Sequence, residues 1–381
     1  MSDFQKVINK LLLGNKLNQP FIYDQYKTSY RADLETRLEN FIGRLAKFDG
    51  QGEIETFFRD NLGVMEDVTN NILRVIDAYL CGSAGKAYDC IEELLQMRII
   101  KNNIKHLIHN MSSFSSDNSL YRVRKSNTVL TERKEIFHIP FELRHLVATQ
   151  RYSIAGLPSL YLGTSVYVCW QEMGKPDLNS LYLSRYLMRD QYEAREVNVL
   201  NFAYSLETLK EQGLEQFFVT ENTQSEINTQ IAYIVLFPIL MACSYNRAHE
   251  NASFHPEYIF PNLLLQWISK EKSNISGISY YSTKTKQLRH HNIGINFVFP
   301  PDTDKVIERG FCPSLSKWFQ LTKPVSWQLL ETINAFKNNN EEGFLCANDL
   351  EEEFVRNYNS TRFAEIEVKL KKIMKIDDVI I

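Results

Sequence analysis

Arg151, Tyr161 and Glu172 stand ten and eleven residues apart in one stretch, RYSIAGLPSLYLGTSVYVCWQE. Each type suits one part of a dinucleotide. An arginine fork binds phosphate oxygens in a bidentate way. A tyrosine offers a flat ring with a polar tip. A glutamate accepts from a ribose hydroxyl and stabilises positive charge beside it. NAD carries all three targets. Cleavage of its nicotinamide–ribose bond passes through an oxocarbenium-like state, as glycoside hydrolysis does. The leaving group is already good, so such a site needs no strong general acid. It must hold the pyrophosphate, clamp the nicotinamide and place negative charge near the ribose.

The elements that would position these residues are short. A Gly-Leu-Pro turn at 156–158 leads into an apolar strand at 159–162, and a helix starts at Thr164. Val168 and Cys169 lie one turn before Glu172, so the carboxylate projects from a partly apolar helix face, where an acid is costly unless paired or functional. Further β-like runs fall at 120–124, 196–202, 277–281 and 295–299, separated by helical stretches at 178–189, 225–246 and 257–269. Before them, residues 1–115 read as a helical domain, with apolar residues at three-to-four spacing over 53–59, 64–80 and 86–110. The polar run 111–119 reads as a linker, Pro300-Pro301 closes the β-containing region, and 301–381 reads as a mostly helical extension through 325–337 and 360–373. The expected fold class is therefore α+β, a domain at 120–300 flanked by helical parts.

Composition excludes several function classes. The formal charge of −3 over 381 residues lacks the basic excess of a nucleic-acid binder, although Lys284, Lys286, Arg289, His290 and His291 form a local basic cluster. The acidic run 349–353 reads as a solvated helix start. Six scattered cysteines without a CxxC pair read as reduced thiols. No His or Cys spacing fits a metal site. No G-x-G-x-x-G follows a strand, and neither a P-loop nor a G-x-S-x-G elbow occurs. The apolar run 231–243, 13 residues with Pro238 inside, reads as a buried helix too short to span a bilayer. With no targeting signal, a cytoplasmic location is expected.

Four separated blocks carry a resemblance. YRVR at 121–124, the RYSIAGLPSLYLGTS…QE segment, the strand EVNVLNF, and GISYYST at 277–283 followed by NFVF at 296–299 resemble the RES domain family in its order. That family resembles ADP-ribosyltransferases in fold and includes NAD-degrading toxins of bacterial toxin–antitoxin pairs. The resemblance covers residues 120–300. It implies an ADP-ribosyltransferase-like mixed-sheet core with NAD as substrate and no bound cofactor. By position it assigns Arg122 and Arg151 to the pyrophosphate or nicotinamide ribose, Tyr161 to packing on nicotinamide, Glu172 to the developing cation, and Ser282 to orienting the ligand. Tyr152-Ser153 replaces the commoner Phe-Asn after the arginine and keeps an aromatic. The stretch from Glu172 to Ser282 is longer than in compact members, implying inserted helices around 225–246.

The implied function is an NAD glycohydrolase or phosphorylase acting as a toxin that depletes NAD, with a neutralising antitoxin as protein partner. Transfer of ADP-ribose to a macromolecule and a non-catalytic partner-binding module are the alternatives. The helical N-terminal domain reads equally as a docking or regulatory module and as structural support.

Overall fold

The computed structural model describes residues 2–111, 119–189, 197–212, 223–270, 275–284, 292–302, 305–333 and 357–379. The basic residues Lys286 to His291, the acidic run 349–353, Cys346 and most of the 111–119 linker lie outside these residues. The first helices are α1 Asp3–Leu12, α2 Tyr30–Leu45, α3 Glu53–Asp60, α4 Leu62–Leu80, α5 Ala84–Gln96 and α6 Arg98–Ile104. They are followed by α7 Val166–Glu172, α8 Leu206–Gln212, α9 Thr223–Cys243 and α10 Ile259–Lys270. The last are α11 Pro313–Trp318, α12 Trp327–Thr332 and α13 Arg362–Ile373. The strands are β1 Ile108–Asn110, β2 Leu120–Lys125, β3 Leu160–Gly163, β4 Leu181–Met188 and β5 Asn198–Phe202. Then come β6 Gly277–Tyr281, β7 Ile295–Phe299, β8 Phe319–Thr322, β9 Val325–Ser326 and β10 Ile376–Asp378. The fold is α+β, with helices beside a ten-stranded sheet of order β1-β5-β6-β7-β3-β2-β4-β8-β10, in which β9 also pairs with β4.

The chain forms two compact units, and neither is continuous in sequence. One comprises Met1–His109, Thr149–Ile154 and Leu200–Ile275; the other comprises Asn110–Ala148, Ala155–Val199 and Ser276–Ile381. These units do not follow the linear division into 1–115, 120–300 and 301–381. The helices expected as an insertion fold with the N-terminal helices, and the tail folds with the sheet.

The first unit is helical and built around α9, which packs against α2, α3, α4, α6 and α10. Its residues from Ile231 to Cys243 are buried on every side, as expected of a helix apolar all round. The helix begins eight residues before that run. At this length it is the one described helix long and apolar enough to cross a membrane, yet 83% of that window is buried inside the protein. The single helix expected over 86–110 is broken. Met97 adopts an extended conformation between α5 and α6, and the chain ends in β1. The break separates an apolar stripe at Ile91, Leu94 and Leu95 from another at Ile99, Ile100 and Ile104.

The second unit holds most of the sheet. The segment 178–189, expected as a helix, is strand β4 instead. It lies between β2 and β8, and burial of the consecutive residues Leu183 to Tyr186 removes the period-two alternation that would have marked it. Every register here is antiparallel: β6 with β7, β7 with β3, β3 with β2, β2 with β4, β4 with β8, and β8 with β10. Among its described residues the tail carries α11, α12 and α13 together with short strands. It contributes β8, β9 and β10 to the sheet, while α12 and α13 cover it. Tyr121 and Val123 of β2, Leu181 and Leu183 of β4, Val166 to Val168 of α7, Trp327, Leu330, Phe363, Ile366 and Leu370 form one core.

Candidate active site

Helix α7 is fixed at both ends and along its length. Ser165 caps it: its hydroxyl accepts from the Val168 amide at 3.0 Å and donates to the Ile293 carbonyl at 2.6 Å. Gly174, at φ 79°, ends it in the left-handed conformation, and the Lys175 amide returns to the Trp170 carbonyl. Along its length α7 lies against Gly163 of β3, where a Cβ would come within 2.5 Å of Val168 Cγ1 and 2.7 Å of Cys169 Sγ. That glycine is required by close approach.

Glu172 is the last residue of α7. A carboxylate there faces the negative end of the helix dipole, which disfavours it. Asn296 of β7 compensates: its Nδ2 donates to Glu172 Oε1 at 2.9 Å. Asn296 is buried and pairs with Gly163 on one side and Tyr280 on the other. Residues opposite one another in a ladder share a face, and so do residues two apart along a strand. Tyr161, two residues from Gly163, therefore lies on the face of Asn296. So does Ser282, two residues from Tyr280, whose amide extends the ladder to the Gly294 carbonyl at 2.9 Å. Ser282 is buried, and its hydroxyl accepts from the Lys284 amide at 3.2 Å. Glu172, Asn296, Tyr161 and Ser282 thus belong to one side of the sheet.

Arg122 starts on the other side. Tyr121 pairs with Gly163, the single paired position of β2 with β3, so the next residue faces away. Beyond that pair the strands part. The Arg122 guanidinium fills the parting, and its Nη1 donates to the Tyr161 carbonyl at 3.0 Å. Its Nε is buried without a hydrogen-bond partner, and among the described residues no carboxylate pairs with it. Burial is the main cause holding its pKa below the usual arginine value. Arg124, two residues on, is exposed and donates to the Glu135 carbonyl. Among the described residues the charge of this half-buried guanidinium is left uncompensated.

Arg151 belongs to the helical unit. It is buried, its Nη1 and Nη2 donate to the carbonyls of Cys243 and Tyr245, and its charge lies 5.4 Å from the centre of the Tyr258 ring. Those carbonyls lie at the last residue of α9 and two residues beyond it, where a cation is favoured. The next residue, Tyr152, is held at φ 57° while fully buried, a conformation that costs a non-glycine residue about 1–3 kcal/mol. The geometry makes Arg151 an anchor of its own loop.

Sequence reasoning missed Asn296, although a lone amide in the apolar run Ile-Asn-Phe-Val-Phe was a signal. Among the described residues, no group of three or more acidic, histidine or cysteine side chains could hold a metal ion.

No family model matches the chain, and no solved structure matches it. Among curated proteins, one of Bacillus subtilis (strain 168) named "Putative toxin YopC" is 31% identical over 317 residues, which is 81% of this chain and 69% of that protein. With that identity held over more than two thirds of both, the chain belongs to the family of YopC.

Proposed function

We propose that this protein is a toxin that consumes NAD by cleaving its nicotinamide–ribose bond, with a RES-type, ADP-ribosyltransferase-like site in its sheet unit. The observation that carries the reading is the Glu172 carboxylate, held by Asn296 over the sheet face that bears Tyr161 and Ser282. The toxin part draws on the printed name of the Bacillus subtilis relative.

In this reading Glu172 stabilises the positive charge that develops at the anomeric carbon. Asn296 occupies Oε1 and leaves Oε2 for the ribose. Tyr161 packs on the nicotinamide, and Ser282 orients it. Arg122, a cation without a counter-ion among the described residues, takes the pyrophosphate. Arg151, whose terminal nitrogens are engaged by carbonyls, supports the loop that carries it. Water or inorganic phosphate accepts the ADP-ribose.

Nicotinamide release from NAD by the purified protein tests the reading. Glu172→Gln keeps the shape and the contact to Asn296 but removes the charge, so release should fall on the order of 10²–10³-fold. Turnover that survives this substitution sinks the proposal. Label from ADP-ribosyl-labelled NAD that ends on protein or nucleic acid would identify transfer in place of hydrolysis.

A further inference from the structure

On α13 the positions 363, 366, 367 and 370 share one face. Three of them, Phe363, Ile366 and Leu370, are core residues, and the fourth is Glu367. An acid on the buried stripe of an amphipathic helix requires partners. Glu367 Oε1 accepts from the Val166 amide at 2.6 Å and from the Tyr358 hydroxyl at 2.6 Å. Val166 is the first residue of α7. The other groups facing this carboxylate are uncharged. From α7 come the Ser165 hydroxyl, engaged with Ile293 and Val168, and the Cys169 thiol; from β2 comes Tyr121, beyond Tyr358. Among the described residues no cation pairs with Glu367.

We propose that Glu367 is a positioning residue of the active site: its carboxylate holds the amino end of α7 and so fixes Glu172 at the carboxyl end. This rests on the reading of Glu172 as the group that meets the ribose. A helix of two turns transmits a displacement at one end to the other, and misplacing a reacting group by 1 Å can cost on the order of 100-fold in rate. The charge at stake is the negative one, because the helix amino end favours an anion. Burial pushes Glu367 up to about 7, against the Tyr358 and Val166 hydrogen bonds, which favour ionisation. A carboxyl raised in the folded state contributes stability below its unfolded pKa and loses it as pH rises through about 7. Glutamine escapes that loss but cannot supply the charge. Stability and turnover should therefore move in opposite directions, which a purely structural residue would not produce.

The test measures nicotinamide release, thermal midpoint and amide hydrogen exchange in the full-length protein, Glu367→Gln and Tyr358→Phe between pH 5.5 and 9. Glu367→Gln should melt higher than wild type above pH 7, yet show kcat about tenfold lower with KM nearly unchanged. Its kcat should lack the wild-type decline as pH falls through about 7. Tyr358→Phe removes a donor to the carboxylate, so its decline should begin at higher pH. The amides of α7 should exchange about tenfold faster in Glu367→Gln, while those of β6 and β7 stay unchanged. Unchanged kcat, pH profile and α7 exchange overturn the inference, as does a joint loss of stability and turnover with the pH decline intact. A wild-type protein that releases no nicotinamide overturns the NAD reading instead, and α7 exchange still decides whether Glu367 fixes that helix.

Discussion

Two side chains in the sheet unit are placed at odds with stability. Arg122 is a half-buried cation, with its Nε buried, without a carboxylate among the described residues, and Glu172 is an anion at the wrong end of a helix. Both placements make sense if a ligand adds charged partners to those the Tyr161 carbonyl and Asn296 provide. Arg122→Met should therefore raise the thermal midpoint, because burying an uncompensated charge costs about 1–3 kcal/mol, while it weakens NAD binding in a calorimetric titration. Lower stability together with unchanged affinity would remove Arg122 from the site. Asn296→Asp would set a second carboxylate where an amide now sits 2.9 Å from Glu172. Like charges so close cannot both ionise readily. The acid side of the kcat profile should then move to higher pH, and turnover at pH 7 should drop about tenfold.

At the scale of elements, α7 carries the argument. Its seven residues have no helical stability of their own, since nucleation outweighs so short a run. Its place is set by Ser165, by Glu367 and by contact with Gly163. Gly163→Ala would drive a methyl into Val168 and Cys169, an overpacking that costs about 1–3 kcal/mol. A urea titration followed by tryptophan fluorescence should show the lower midpoint, and nicotinamide release should fall with it, because α7 must move away from β3. The strand ends matter equally. β2 and β3 share one paired position and then part, and that parting gives Arg122 its room. Full pairing would have filled the gap with backbone hydrogen bonds.

At the scale of the whole molecule, opposing titrations contribute to how stability depends on pH. His138 is buried and neutral. Its Nδ1 donates to the Ile139 carbonyl at 2.7 Å, its Nε2 accepts from the Cys312 amide at 2.9 Å, and it is pushed down to about 4 mainly by burial. Its contribution is complete above an unfolded pKa of about 6.5 and is lost as pH falls toward 4. Glu367 works in the other direction, losing stability as pH rises toward 7. Over the window they share, the two offset each other. In Glu367→Gln the thermal midpoint should accordingly rise more steeply between pH 4.5 and 6.5 than in wild type. A parallel dependence in both proteins would show that these groups do not set it.

Much of the local structure was legible from the amino acids alone. Strands β2, β3, β5, β6 and β7 fell where β-branched, aromatic and leucine residues cluster. Helices α4 and α10 followed their apolar spacing, and Glu172 stood out as an acid on a partly apolar helix face. These features depend on neighbours a few residues apart, so composition and period suffice to find them. The sequence also determined which chemistry was available, since only certain side chains can bind phosphate, stack on a ring or stabilise a cation. Tertiary structure alone decided the rest. Asn296 meets Glu172 across 124 residues of chain, and Glu367 meets Val166 across 201. Arg151 reaches carbonyls more than ninety residues away. No local pattern encodes such partners, because closing long loops rewards only the packing of the finished fold. For the same reason β4, buried at consecutive residues, resembled a helix, and the tail that supplies β8, β9, β10 and Glu367 resembled an appendage.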